Sequence, residues 1–109
     1  DVAGGFSTSV FRAMADAIQV SKLRYSLLGE ADSILTVAEA FYLGTKGGGS
    51  FWGKAGSFEP GYDFDALVID DESLGCRDYL TIEQRLERII YLSDENNINS
   101  KYVLGKCIF

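Results

Sequence analysis

Apolar residues recur at near-helical spacing over residues 7–26, where Phe11, Met14, Ile18 and Tyr25 share a stripe and Arg12, Asp16 and Gln19 mark a polar face. Ser7 and Thr8 offer side-chain oxygens as N-caps for this helix. Val20, Leu23 and Leu27 form a second stripe, which predicts that the helix meets partners on two sides. Gly29-Glu30-Ala31-Asp32 reads as a turn. Thr36-Val37-Ala38-Glu39 then reads as a capping box, the Thr36 hydroxyl accepting from the Glu39 amide while the glutamate reaches back. The body that follows, Val37 to Thr45, is apolar nearly all round, which predicts a buried helix stopped by Gly47-Gly48-Gly49.

The period changes from Ser50 to Asp71. Gly53, Gly56, Pro60 and Gly61 punctuate short segments, and the compact run Ala66-Leu67-Val68-Ile69 predicts a buried strand after a Pro-Gly turn. Residues 81–92 return to a helical pattern, capped by Thr81 with Gln84. Ile82, Leu86, Ile89 and Ile90 form its stripe, opposite a solvated face of Glu83, Arg85, Glu87 and Arg88. Asp94-Glu95-Asn96-Asn97 is a turn, and the alternating end from Lys101 to Phe109 predicts a hairpin or bent strand. Two or three short strands alone make a marginal sheet. With the apolar excess of the first helices, this predicts that the chain is part of something larger.

Composition narrows the chemistry. The 109 residues are 47% hydrophobic and 24% charged, a globular balance, with a net charge of −6. The ten cations are spread from Arg12 to Lys106 without a basic cluster, which argues against nucleic acid and anionic membrane as partners. No apolar stretch is long enough to span a bilayer, and neither end resembles a signal peptide. Histidine is absent, so these residues cannot build an imidazole-ligated metal site or a histidine-based triad. Cys76 and Cys107 lack metal-type spacing and read as free thiols. Gly48-x-x-x-x-Gly53-Lys54 falls short of a phosphate loop, since Ala55 stands where Ser or Thr is needed and a helix precedes it. Asp63, Asp65, Asp70 and Asp71 lack the alternation and terminal glutamate of a calcium loop, and read as solvated strand flanks.

Residues 56–70, Gly-Ser-Phe-Glu-Pro-Gly-Tyr-Asp-Phe-Asp-Ala-Leu-Val-Ile-Asp, are more specific. They resemble the C-terminal hallmark of the amidohydrolase superfamily, G-[ST]-I-x-x-G-[KY]-x-A-D-L-V-[VL]-[LI]-D. Thr36, Glu39 and Ala40 followed by Gly47 to Gly53 are similar to that family's preceding segment, and Tyr102-Val103-Leu104-Gly105-Lys106 to its final strand. Asp1-Val2-Ala3-Gly4-Gly5, Phe64 to Ile69 and Arg85 to Leu92 are most similar to the guanine deaminases within it.

The resemblance implies an α/β fold, the C-terminal fragment of a metal-dependent (β/α)8 barrel hydrolase with part of its satellite β-sandwich. Residues 1–50 would be the last helical part of the barrel, and 51–109 the sandwich segment with an inserted helix at 81–92. It implies that the whole enzyme carries zinc, with its histidine ligands and catalytic glutamate upstream of this chain. Asp1 stands at the family's position for both a metal ligand and a catalytic proton shuttle. Zinc would lower the pKa of its bound water toward ~7, and the hydroxide would attack the amino-bearing carbon of a purine while Asp1 carries the proton to the departing ammonia. The expected partner is a small-molecule purine, in a cytoplasmic homo-oligomer. The fragment alone is expected to bind zinc negligibly and to be inactive. The alternatives are another amidohydrolase, acting on a chlorinated triazine or other cyclic amidine, and a non-catalytic binding or scaffold domain.

Overall fold

The computed structural model describes Gly5, residues 7–29 and residues 33–109. Three helices form one layer. The first, α1 (Val10–Leu28), starts at Ser9, whose side chain accepts from the Arg12 amide, and ends where the Gly29 amide bonds to the Tyr25 carbonyl. Helix α2 (Val37–Tyr42) opens with both halves of the expected capping box. Glu39 Oε2 accepts from the Thr36 amide at 2.8 Å, and the Glu39 amide donates to Thr36 Oγ1 at 3.2 Å. The Thr36 amide, and then the Thr36 hydroxyl donating to the same Oε2 at 2.7 Å, hold the Glu39 carboxyl below its ordinary pKa. Helix α3 (Ile82–Leu92) repeats the device with Thr81 and Gln84.

The core lies between these helices. Met14, Ala15 and Ile18 of α1 pack with Ala40 of α2 and Ile90 of α3, flanked by Phe11, Leu35, Val37, Leu86 and Tyr91. At about 100° per residue, Val20, Leu23 and Leu27 fall on the face of α1 opposite Met14, Ala15 and Ile18, and all three are exposed. The second stripe therefore has no cover among the described residues.

Helix α2 departs from expectation. It ends at Tyr42 and runs into a π-helical turn, Leu43–Gly47, and only Ala40 of the helix is buried. Phe41, Tyr42 and Leu43 are exposed, so the all-round apolar pattern reports surfaces left open rather than a buried helix.

A three-stranded antiparallel sheet in the order β1-β2-β3 forms the second layer: β1 (Ala66–Ile69), β2 (Ile98–Val103) and β3 (Lys106–Cys107). Ala66 pairs with Tyr102 and Val68 with Ser100, before the register slips between Val68 and Ile69. The strand is correctly located by the sequence, but it is not buried: Leu67 and Val68, which face opposite sides of the sheet, are 43% and 46% exposed. The preceding turn has its Tyr62 amide on the Glu59 carbonyl, with Pro60 second and Gly61 at φ 87°, as a type II turn requires.

The expected terminal hairpin is present and begins earlier than Lys101, at Ile98. Its two-residue turn, Leu104-Gly105, has φ of 50° and 76°, the double positive φ of a type I′ turn. Leucine is a poor occupant of that conformation. Leu104→Asn is expected to stabilise the hairpin by about 0.5–1 kcal/mol, read as a rise in urea midpoint. A fall would contradict this reading.

The sheet is joined to the helical layer through Asn97, which is buried. Its amide nitrogen donates to the Asp70 carbonyl and to Ser73 Oγ, both at 3.0 Å. Its Oδ1 accepts from the Asp94 amide at 3.1 Å, and its own carbonyl accepts from the Asp70 amide at 2.8 Å.

Candidate functional site

The sequence places its one candidate site residue, Asp1, before α1. Asp1 lies outside the described residues, as does most of the glycine segment that follows it. The described approach is Gly5 and residues 7–9, where Ser7 Oγ accepts from the Ser9 amide at 3.1 Å and Ser9 caps the helix. These residues lead into the N-terminal end of α1.

That end is buttressed by the glycine-rich segment 44–56. Gly44 lies so close to α1 that a side chain there would collide with Met14 Cε and approach Val10 Cγ1 at 3.2 Å. Further along, Gly49 rests on the Ala55 carbonyl and Gly56 on the Thr45 carbonyl, leaving no room for a methyl group at either glycine. Lys46 and Glu59 form an ion pair across the segment, and Ser57 Oγ donates to the same carboxylate at 2.9 Å. The pair holds the Lys46 ammonium above its ordinary pKa and Glu59 below its own. Lys46 also stands 5.5 Å from the centroid of the Tyr62 ring.

A second polar cluster ties the loop after β1 to α3. Arg85 Nε donates to Asp71 Oδ2 at 2.7 Å and Nη2 to Oδ1 at 2.9 Å, a two-pronged pair. Cys76 is buried beside it. Burial and then the neighbouring Asp71 push its thiol up, so it is a poor nucleophile. Arg88 reaches the Leu74 carbonyl at 3.1 Å. Arg85 is thus drawn into an ion pair and half-buried, while Glu83, Glu87 and Arg88 stay exposed as the helical pattern suggested. What the pattern does not show is whom the two arginines meet. Their partners lie 14 residues away in each case, beyond any local sequence signal.

The Asp71–Arg85 pair has a defined pH dependence. Arg85 bonds hold the Asp71 carboxyl below the usual carboxylate range in the folded chain. Its contribution is thus complete above the unfolded-state value, about pH 4, and is lost as pH falls through the lowered folded value. Asp71→Asn is expected to lower stability at neutral pH and to flatten the acid side of the stability profile, checked by urea midpoints from about pH 2 to pH 7. An acid slope unchanged by the substitution would contradict it.

Two surface depressions exist near these groups. One, of about 330 Å³, is lined by Asp71, Glu72, Cys76, Arg77, Asp78 and Arg85. The other, of about 400 Å³, runs along α3 past Leu80, Gln84, Arg88 and Tyr91. Neither gathers catalytic chemistry. Among the described residues no three His, Cys, Asp or Glu side chains come together to hold a metal, so these residues do not fit a zinc centre. Three of the four aspartates weighed as a calcium loop have structural duties instead: Asp65 accepts from the Leu104 amide, Asp70 from the Glu72 amide, and Asp71 from Arg85. Both cysteines are free, Cys107 being exposed. Among the described residues no helix is long and apolar enough to cross a membrane.

The sequence model of the amidohydrolase family matches residues 1–108. The guanine deaminase of Rattus norvegicus is 37% identical, with 97% of this chain and 26% of that protein covered. That of Dictyostelium discoideum is 34% identical, over 99% of this chain and 25% of that protein. The crystal structure of guanine deaminase from C. acetobutylicum with bound guanine in the active site superposes with a TM-score of 0.92 at 52% identity, over 100% of this chain and 26% of that one. E. coli guanine deaminase gives a TM-score of 0.80 at 25% identity, with the same coverage. The chain spans about a quarter of the length of these relatives. Alike in sequence and in fold over its whole length, the chain belongs to the amidohydrolase family.

Proposed function

We propose that this chain is the C-terminal quarter of an enzyme that hydrolyses guanine to xanthine and ammonia. The observation that carries the reading is the match over the full chain, at 52% identity and a TM-score of 0.92, to a guanine deaminase with guanine in its active site. The bare second stripe of α1, Val20, Leu23 and Leu27, supports it further, since such a face needs an apolar layer against it. In this reading residues 1–50 close a (β/α)8 barrel and 51–109 belong to a satellite β-sandwich, whose missing strands would cover Leu67 and Val68.

The reaction adds water to the amino-bearing carbon of the purine and expels ammonia. Asp1 is proposed to take a proton from the attacking water and hand it to the departing amine, alternating between base and acid. Any zinc belongs to residues beyond the described ones, whose chemistry does not fit it. The isolated chain is therefore expected to retain no zinc and to release no ammonia from guanine.

The test is a substrate panel on the full-length protein: guanine, adenine and a chlorinated triazine. Turnover of guanine with a kcat/KM at least about 100-fold above the others supports the proposal, a selectivity within reach of a site that hydrogen-bonds its substrate. Preference for adenine or for the triazine overturns it.

A further inference from the structure

We draw no further inference here: the strongest candidate, the open groove along α3 lined by Leu80, Gln84, Glu87, Arg88, Tyr91 and Leu92, carries nothing because nothing in the structure shows what covers it.

Discussion

Asn97→Ala is expected to destabilise the fold by about 3 kcal/mol, among the largest effects of any single side-chain truncation in the chain. The residue is buried, and three groups depend on its carboxamide: the Asp70 carbonyl, Ser73 Oγ and the Asp94 amide. Alanine leaves them without that partner where water has little access, so the cost is that of desolvated polar groups rather than of one exchanged hydrogen bond. At an m-value of about 2 kcal/mol/M, the urea midpoint of the 109-residue chain would fall by about 1.5 M. Asn97→Asp keeps the acceptor for the Asp94 amide but turns a carboxylate oxygen toward the Asp70 carbonyl. The folded state then raises the pKa of residue 97, so the aspartate variant should be most stable in acid and lose stability as pH rises through that raised value. Asn99→Ala, exposed two residues further on in β2, is the control and should change stability by less than about 0.5 kcal/mol. Equal effects at 97 and 99 would contradict the account of the junction.

Gly56→Ala is the second large effect, at about 3–4 kcal/mol, and two neighbouring glycines separate its causes. Gly56 has φ 79°, a conformation that costs an L-residue about 1 kcal/mol or more, and its missing side chain is occupied by the Thr45 carbonyl. Gly53 has φ 107° but open space around it, so Gly53→Ala isolates the backbone strain at about 1 kcal/mol. Gly44→Ala meets the flexible end of Met14, which can swing aside, and should cost about 1–2 kcal/mol. The Gly56 variant should exceed each of the others because a carbonyl held in the π-turn cannot yield as a methionine methyl can. If all three cost the same in urea unfolding, the closed geometry of segment 44–56 is wrong.

What the sequence disclosed were features whose causes are local. The capping boxes at Thr36 and Thr81 involve residues three apart, and the turn at Pro60-Gly61 follows from two adjacent residues. The two stripes of α1 were legible as helical periodicity; the structure packs the first at Met14 and Ile18, while the second, expected to meet a partner too, has no cover among the described residues. The misreadings have one physical source. An apolar run announces that a surface wants cover, but not whether the cover lies within the chain. Hence α2 and β1, read as buried, keep Phe41, Tyr42, Leu67 and Val68 exposed among the described residues. The ties of Asp71 to Arg85, Lys46 to Glu59 and Asn97 to Asp70 span 14, 13 and 27 residues, and charge patterning on a single helix gives no hint of them. Asp1 was reached through family resemblance rather than spacing, since one carboxylate ahead of a helix carries no signature of its own.

The central claim is that these residues complete a guanine-hydrolysing enzyme and supply its proton-carrying carboxylate. Its most direct test is guanine turnover by the full-length protein, with xanthine and ammonia both quantified, in the wild type and in Asp1→Asn. The account predicts one ammonia per xanthine from the wild type, and a fall in kcat of about 10³-fold in a variant that remains folded. A full-length protein that leaves guanine untouched, or an Asp1→Asn variant that keeps wild-type turnover, would contradict it.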